Sequence, residues 1–518
     1  MEGVALLKWI IGLSVLAGVL TFVVTPYIRR LATRNGLVDC PDYRKNHACP
    51  TPACGGLAVF IGLLPMFFGL LTASLLDGTG FTSEHFLKVA TLFAACGWIL
   101  FLGIWDDRKG IKWSTKLAGQ VLGVAILAVG GHFIKSVTLP FFGAVTLGWF
   151  GIVVFGCLLI VITNAINLID GLDGLAVGIC LFAGIAGGCT ALVKGDPLVA
   201  VLQFSLVGAL AGFLPYNWPP ARVFLGDGGS MMLGFYLGTL AMSSAAVSTA
   251  GQRSAMFTAL VAPFLPFSIA LFDVGLAVVR RWVRGRKIYL PDTEHLHHRL
   301  SKAFKSPVRV IIVVYTFSAI LAGMTVLAAA SPSIASTPFI PIAGVMVLMG
   351  LTVMLLRTYR MDTLHHLPQV LAERRHFRFL DCWSDFMTAR LARTHSVGEC
   401  VSLLESGVRD LEFDAVLVYH GDTLVGKWEN LAPVHRGGPR SALVDQISAG
   451  GLLVKAIVPH HERASYNVTL KASWCGFTAA WGKRLEEMGR TRELALELET
   501  LDLGVPGRSP LLDASSWH

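Results

Sequence analysis

Charged residues are scarce in this chain of 518 residues: Asp, Glu, Lys and Arg make up 15% of it, 54% is hydrophobic and the mean hydropathy is +0.62. A chain so poor in charge cannot give several soluble domains a polar surface. Neither an internal repeat nor a low-complexity stretch is visible. Most of the chain is therefore expected to lie in a lipid bilayer.

CxxC pairs are absent, although the chain has ten cysteines. The cysteines are scattered and several fall in apolar runs, where a bridge to a distant partner is not expected, so no disulfide framework is implied. Cys40, Cys49 and Cys54 lie near His47 in the sequence, which raises the alternative of a zinc site. Without a CxxC pair the usual zinc spacing is missing, and we expect plain thiols.

The excess of basic over acidic residues lies in the hydrophobic part of the chain. Residues 1–330 contain 24 of the 43 Lys and Arg residues but only 14 of the 34 Asp and Glu residues. These positive charges separate apolar segments and do not cluster on a soluble module, so the basic composition does not indicate nucleic-acid binding. Their positions are typical of signals that set the topology of a membrane protein.

Eleven segments are apolar and long enough to cross a bilayer as helices, in which every backbone amide is hydrogen-bonded internally. The sequence predicts an all-α polytopic membrane domain over residues 1–357, with the first segment retained as a helix. The expected spans are 5–26, 54–76, 87–105, 117–134, 148–166, 174–193, 198–215, 229–247, 256–279, 308–330 and 338–357.

Lys and Arg are distributed unequally between alternate loops of this pattern. The loops at 28–52, 105–116, 215–228 and 280–309 hold 19 Lys and Arg residues, and the other set holds five. The positive-inside rule places the richer set in the cytoplasm. The N-terminus is then expected outside the membrane, and the tail, after eleven crossings, inside.

The tail, residues 358–518, has about twice the charge density of the front part and is predicted to be a small soluble α/β domain. HGD at 420–422, between two strand-like runs, is typical of a hairpin turn. No active-site pattern is visible in the tail. Helix-like stretches occur at 371–393, 396–411 and 477–501, and strand-like segments at 414–419 and 452–458.

Acidic and polar motifs recur at span ends, all on the predicted cytoplasmic face. They are WDDRKG (105–110), NAINLIDGLDGLAVG (164–178), NWPPARVFLGDGGS (217–230) and PDTEHLHHRL (291–300). Because a carboxylate beside lipid is costly, several on one side indicate function. Carboxylates for a hard cation, basic groups for phosphate oxygens and glycine-rich turns are the components of chemistry on a diphosphate. The clustered oxygens favour Mg²⁺, or Mn²⁺ in its place, over zinc.

Each acidic motif also has a purely structural interpretation. Asp106 and Asp107 alone could form a solvated loop end beside two basic residues. Asp170 and Asp173 are three residues apart, which on a helix start places both carboxylates on one side, whereas capping requires only one. Asp227 could be an N-cap, a role compatible with binding a metal.

The histidine-rich segment HLHHRL at 295–300 has two interpretations as well. One is a juxtamembrane basic patch for anionic lipid. Three histidines around one arginine exceed what lipid binding requires, because neutral histidine adds no charge. We therefore favour contact with a substrate.

Five ordered motifs resemble those of the bacterial polyprenyl-phosphate N-acetylhexosamine-1-phosphate transferases (glycosyltransferase family 4), and in particular their WecA-type branch. The motifs are RKNHACPTPACGG (44–56), WDDRKG, NAINLIDGLDG, NWPPARVFLGDGGS and HLHHRL. Their joint order and common face make the resemblance specific. It covers residues 1 to about 357 and implies a bundle of eleven spans, in agreement with the independent count of segments.

The resemblance implies transfer of a sugar 1-phosphate from a UDP-N-acetylhexosamine to undecaprenyl phosphate, with release of UMP. Such an enzyme, in a bacterial inner membrane with Mg²⁺ or Mn²⁺, would initiate a lipid-linked envelope glycan such as an O-antigen. Direct attack by the lipid phosphate and a covalent enzyme aspartate are both open, and direct attack is favoured. The alternatives are an MraY-type phospho-MurNAc-pentapeptide transferase, with the same chemistry, and a transporter.

The resemblance also implies roles for the acidic residues. Asp227 is expected to be a magnesium ligand, and Asp170 to lie close to the metal or the diphosphate. Asp106 and Asp107 resemble the paired acids that position or deprotonate the lipid phosphate. In a transporter, polar residues would lie near the midplane of the membrane; Asp273 is the acid well inside a predicted span, where we expect a packing or helix-end role.

Substrate-binding positions follow from the same motifs. Lys45, Asn167, Asp173, Asn217 and Phe224 match positions around the nucleotide, with Phe224 suited to stacking on uracil.

The last loop is expected to contact the sugar and phosphates through His295, His297, His298 and Arg299, since arginine can bind phosphate oxygens bidentately. The interrupted histidine run, ending in arginine, resembles the WecA-type branch and predicts UDP-GlcNAc or a close UDP-N-acetyl sugar as the donor. Residues 358–518 depart from the family pattern, and leave open a homodimer and a regulatory partner of the tail.

Overall fold

The chain folds into two compact units, which comprise Met1–Val279 with Tyr289–Asp362, and Arg280–Ile288 with Thr363–His518. The computed structural model is described for part of the chain. The described residues are 3–39, 50–75, 82–139, 143–245, 262–283, 300, 304, 306–330, 367–411, 413, 415–420, 423–429, 440–446, 452–459 and 464–487.

Helices dominate the first unit, and ten of the eleven predicted spans overlap described helices, the one at 256–279 only in part; the predicted span at 338–357 lies outside the described residues. Two short antiparallel hairpins, β1 with β2 and β3 with β4, connect helices. The elements are α1 (Gly3–Arg34), β1 (Val38–Asp39), β2 (Thr51–Pro52), α2 (Gly55–Gly62), α3 (Leu64–Leu75), α4 (Ser83–Lys109), α5 (Trp113–Val129), β3 (Ser136–Leu139), β4 (Gly143–Thr146), α6 (Phe150–Ile169), α7 (Leu175–Lys194), α8 (Pro197–Asn217), α9 (Gly226–Ala245), a 3-10 turn (Ala262–Phe267), α10 (Ser268–Val283) and α11 (Pro307–Ala330).

Seven of the described helices are long and apolar enough to cross a membrane, and two shorter apolar helices, Trp113–Val129 and Phe264–Val279, accompany them. The chain is thus a polytopic, mainly helical membrane protein. Large apolar side chains on α1, such as Val15 and Phe22, are about half exposed, as expected of a surface that faces lipid. Asp273 is buried in α10, at 2% exposure.

Glycines set the distance between α1 and α8. Gly208 and Gly212 of α8 form a GxxxG pattern, and a Cβ at either position would overlap the backbone of α1 near Ser14 or Gly18. Small residues allow helix backbones to approach closely inside a membrane, where van der Waals packing drives association. This pair of helices therefore packs backbone against backbone.

The same principle positions the start of α9. A Cβ at Gly103 of α4 would overlap Gly228, and a Cβ at Gly56 of α2 would overlap Gly229. The helix therefore begins in direct backbone contact with both α4 and α2. This contact places the acid that precedes Gly228 beside the end of α4.

The second unit contains a four-stranded antiparallel sheet in the order β6-β5-β8-β7. Its core is rich in aromatic residues, among them Trp474, Trp481 and Phe477, none of which is exposed. The elements are α12 (Leu367–Leu391), α13 (Val397–Asp410), β5 (Ala415–His420), β6 (Thr423–Glu429), β7 (Arg440–Gln446), β8 (Leu452–Pro459) and α14 (Ala464–Glu487).

The prediction for this unit was correct for two helices and for the hairpin that joins β5 to β6. Strand β7 was missed, because its short run of mixed polar and apolar residues becomes a strand by pairing with β8. Helix α14 begins at Ala464, 13 residues before the predicted start at residue 477. Burial of Trp474 and Phe477 on one face stabilises this helix despite β-branched residues near its start.

Candidate active site

Lys116, in the first turns of α5, lies at the centre of a polar cluster at one end of the first unit. Its Nζ atom is 2.8 Å from Asp106 Oδ2 and 2.7 Å from Asp227 Oδ2. It also donates to Asn167 Oδ1, at 3.4 Å. Only 18% of the lysine side chain is exposed. One cation therefore connects α5 to α4, α6 and α9.

Asp227 lies in the first turn of α9 and binds two neighbouring helices. Its Oδ1 accepts a hydrogen bond from Asn167 Nδ2, at 3.0 Å, and Asn167 Nδ2 also donates to Ser230 Oγ, at 3.0 Å. Asp227 is half-buried, with 39% of its side chain exposed. Gly226, just before it, has φ of +78°, a conformation that favours glycine. The GDG sequence thus presents a carboxylate at the start of a helix.

The neighbouring acids Asp106 and Asp107 have different partners. Asp106 accepts from the backbone N–H of Ile111, at 2.9 Å, and pairs with Lys116. Asp107 accepts from the backbone N–H of Asp227, at 3.3 Å. Asp107, which lies in α4, therefore accepts from an N–H group at the start of α9 that has no partner within its own helix. The two carboxylates are not equivalent, although they are adjacent in the sequence.

A pair of amide side chains continues the cluster one turn deeper between α5 and α6. Asn164 Nδ2 donates to Gln120 Oε1 at 2.9 Å, and Gln120 Nε2 donates to Asn164 Oδ1 at 3.3 Å. Gln120 lies four residues after Lys116, and Asn164 lies three before Asn167, so each pair shares a helix face. The amide pair fixes the register that brings Lys116 to Asn167.

Asp170 ends α6 as its C-cap residue. Its carboxylate receives no hydrogen bond from the part of the chain that the structure describes. Burial, together with the carboxylates of Asp227, Asp107 and Asp173, raises the pKa of Asp170 well above its usual value. Negative charge is therefore crowded around Asp170, and a cation placed there would relieve the repulsion.

Asp173 and Asn217 connect the loop after α6 to the loop after α8. Asp173 Oδ2 accepts from the backbone N–H of Ala221, at 2.8 Å. Asn217 is 2% exposed, accepts from the N–H of Gly174 at 2.9 Å, and donates to the carbonyl of Val223 at 3.0 Å. Both polar ends of Asn217 are thus bound to backbone, which gives it a structural role beside the predicted one.

Phe224 lies in this second loop and is half-buried. Its backbone forms a parallel bridge with Ala53, and its N–H donates to Pro52 O at 2.9 Å. The first-loop motif is therefore held against the GDGGS motif through the backbone. The predicted residues Lys45, His295, His297, His298 and Arg299 lie outside the described residues.

The described site has the type of ligand that a hard divalent cation prefers, but not a full set of protein ligands. All nearby charged ligands are carboxylates, the type that Mg²⁺ prefers. Among the described residues, no group of three or more His, Cys, Asp and Glu side chains is arranged to hold a metal ion. Magnesium is commonly held by one or two carboxylates and completed by substrate phosphates and water. Asp227 with Asp170 fits that mode of binding.

Comparisons with known proteins agree with this geometry. Residues 89–245 match the model of Glycosyl transferase family 4. The decaprenyl-phosphate N-acetylglucosaminephosphotransferase of Mycobacterium tuberculosis (strain CDC 1551 / Oshkosh) is 34% identical over 329 residues, covering 60% of this chain and 80% of that protein. The undecaprenyl-phosphate alpha-N-acetylglucosaminyl 1-phosphate transferase of Escherichia coli (strain K12) is 27% identical over 310 residues, or 58% and 79%.

This chain belongs to the polyprenyl-phosphate N-acetylhexosamine-1-phosphate transferases of glycosyl transferase family 4. The matched region of the family contains every described residue of the cluster, from Asp106 to Ser230. The resemblance inferred from the motifs is thereby confirmed.

Sequence reasoning missed Lys116, which contacts Asp106, Asp227 and Asn167. It was counted among the loop charges that set topology, because a lysine near a span end is typical of such a signal. Two signals pointed to it: the residue follows WDDRKG closely, and Gln120 lies one turn later on the same helix face. Ser230 was missed as well, although it lies within GDGGS.

Proposed function

We propose that the chain transfers N-acetylglucosamine 1-phosphate from UDP-N-acetylglucosamine to undecaprenyl phosphate, releases UMP and so initiates a lipid-linked envelope glycan. The observation that carries this proposal is Lys116, held between Asp106 and Asp227 beside a crowd of carboxylates at the ends of four helices. Such a site suits a charged diphosphate at the surface of a membrane. The names of the two relatives support the sugar and the class of acceptor.

The reaction is proposed as a direct displacement. An oxygen of the lipid phosphate attacks the phosphorus that carries the sugar, and the bond from that phosphorus to the bridging oxygen breaks, so UMP leaves with the electron pair. A phosphate oxygen is anionic at neutral pH, and a strong base is not required. Catalysis then depends mainly on alignment and on neutralising charge.

Lys116 is proposed to bind a phosphate oxygen. Its ammonium group has three N–H donors, which are directed to Asp106, Asp227 and Asn167. Exchange of one of these contacts for a phosphate oxygen would keep the ammonium group hydrogen-bonded. The two carboxylates would then hold the lysine in place, and Asp107 would hold the start of α9.

A bound Mg²⁺, or Mn²⁺ in its place, would neutralise phosphate oxygens during the transfer. Asp227 and Asp170 would hold it, together with oxygens of the substrate. Asp173, Asn167 and Phe224 are proposed to lie near the nucleotide. The loop at 295–299 and Lys45 are proposed to contact the sugar and the phosphates, as the motifs imply.

The topology is also proposed. Eleven spans within residues 1–357 would place the N-terminus outside a bacterial inner membrane and the cluster on the cytoplasmic side, where UDP-sugars are available. Residues 358–518 would form a cytoplasmic α/β domain. The excess of Lys and Arg in the loops that carry the acidic motifs supports this orientation.

Incubation of the purified protein with undecaprenyl phosphate, Mg²⁺ and a panel of radiolabelled UDP-sugars tests the proposal. Label from UDP-N-acetylglucosamine is expected to become soluble in organic solvent, with release of UMP. Transfer only from UDP-MurNAc-pentapeptide would favour the MraY-type alternative. The absence of any lipid-linked label would contradict transferase activity.

A further inference from the structure

The loop after α6 is held by a residue from a distant part of the sequence. Tyr315 of α11 donates a hydrogen bond from its hydroxyl to the carbonyl of Gly174, at 2.7 Å. Gly174 is buried, has φ of +76° and is the N-cap residue of α7. It directly follows Asp173 and lies four residues after Asp170. The hydroxyl therefore binds the end of the loop that carries both acids.

Gly174 is also held from the opposite side of its peptide group. Its N–H donates to Asn217 Oδ1 at 2.9 Å, and its carbonyl accepts from the N–H of Gly178 at 3.0 Å. A carbonyl oxygen has two lone pairs, so it can bind Gly178 and Tyr315 together. A residue in a left-handed conformation, bound at both its N–H and its carbonyl, has little freedom to move.

Contacts with α7 and with Trp218 fix the position of the Tyr315 ring. It lies directly against Gly178, where a Cβ would overlap the ring. Phe182, one turn further along α7, meets the ring edge-on with centroids 5.6 Å apart, and Trp218 does so at 6.3 Å. Because aromatic pairs prefer such T-shaped contacts, the ring is oriented without its hydroxyl. The hydroxyl is therefore not needed to orient the ring, and it binds the carbonyl of Gly174.

From these contacts we propose that Tyr315 is a positioning residue: through Gly174 it sets where Asp170 and Asp173 lie relative to Asp227. This inference rests on the proposed function for its kinetic consequence, but the contact itself can be tested independently. Tyr315 does not touch the acids. It acts through the backbone that carries them, and small displacements of catalytic groups are costly.

Tyr315→Phe tests the proposal, because it removes one hydroxyl and keeps the ring in its slot. We expect kcat to fall about 10-fold, equivalent to about 1.4 kcal/mol, and the half-saturating concentration of Mg²⁺ to rise. Tyr236→Phe is the matched control. The Tyr236 hydroxyl also donates to a buried backbone carbonyl, that of Leu202 at 2.9 Å, but it joins α9 to α8. The two variants should lose similar thermal stability, and only Tyr315→Phe should lose turnover.

Hydrogen exchange at the backbone gives a readout that does not depend on activity. In Tyr315→Phe, peptides covering residues 170–178 should exchange faster than in the wild type, and in Tyr236→Phe they should not. Gly178→Ala keeps the hydroxyl but pushes the Tyr315 ring aside. This variant should also exchange faster at residues 170–178 than the wild type.

Wild-type turnover and wild-type exchange in Tyr315→Phe would overturn the proposal. So would equal losses of turnover in Tyr315→Phe and Tyr236→Phe, because the role would then be structural only. An inactive wild-type protein would refute the proposed function instead. In that case faster exchange at 170–178 would still support the contact, and unchanged exchange would overturn it.

Discussion

Replacing Lys116 with methionine removes the cation of the site and keeps an unbranched side chain that is one atom shorter. The Oδ2 atoms of Asp106 and Asp227 lie 2.8 Å and 2.7 Å from Nζ. At an effective dielectric constant of about 20, each such pair has a gross attraction of about 6 kcal/mol. Desolvation of the ions offsets much of this attraction. Because Asp227 is 39% exposed and solvent screens it, we expect Lys116→Met to reduce the free energy of unfolding by only about 1–3 kcal/mol.

The expected effect on turnover is larger. If Lys116 binds a phosphate oxygen during transfer, its loss should lower kcat by at least about 100-fold, as for other groups that stabilise developing charge. Lys112→Met is the matched control, because Lys112 is exposed at the start of the same helix. Transfer of labelled N-acetylglucosamine phosphate to undecaprenyl phosphate measures kcat, and thermal unfolding in detergent measures stability.

Lys116→Arg separates charge from geometry. The guanidinium keeps the charge but is planar and larger than an ammonium group, so it cannot sit between both carboxylates at the same distances. We expect intermediate turnover. If Lys116→Met retained more than a third of wild-type turnover while remaining folded, a phosphate-binding role for Lys116 would be refuted.

Three further expectations follow from the same cluster. Asp227→Asn and Asp170→Asn should each lower turnover at least about 100-fold and leave the protein folded; full activity in both would remove the metal assignment. Deletion of 365–518 should leave transfer measurable, and its complete loss in a folded truncation would show that the tail completes the site. Gly103→Ala should lower turnover by separating α4 from α9, whereas Gly323→Ala, where a Cβ meets open space, should not; equal activities would contradict this account of the packing.

The convergence of distant loops could be predicted because charge and hydropathy are read directly along the sequence, without knowledge of which residues are in contact. The alternation of Lys and Arg between loops predicted the acidic motifs on one face. The structure brings Asp106, Asn167 and Asp227 into contact with one lysine, and Asp107 to the backbone N–H of Asp227. Seven predicted spans coincide with described helices that are long and apolar enough to cross a membrane, because each is a continuous apolar run.

The partners within the site could not be predicted in this way. Asn217 lies in a motif typical of nucleotide contacts, yet both its amide oxygen and its amide nitrogen bind backbone groups. Whether a polar side chain meets a ligand or a loop depends on distances between helices. Those distances depend on contacts between residues far apart in the sequence, which a single sequence does not display.

Glycine explains both the packing and the chemistry of the site. A hydrogen-bonded contact of 2.7 Å between Lys116 and Asp227 requires that α5 and α9 begin close to the end of α4. Larger side chains at Gly103 or Gly228 would hold these backbones apart. In GDGGS the first glycine turns the chain, the acid binds the lysine, and the next two glycines contact α4 and α2. The acid lies among its partners because the glycines around it allow the backbones to meet.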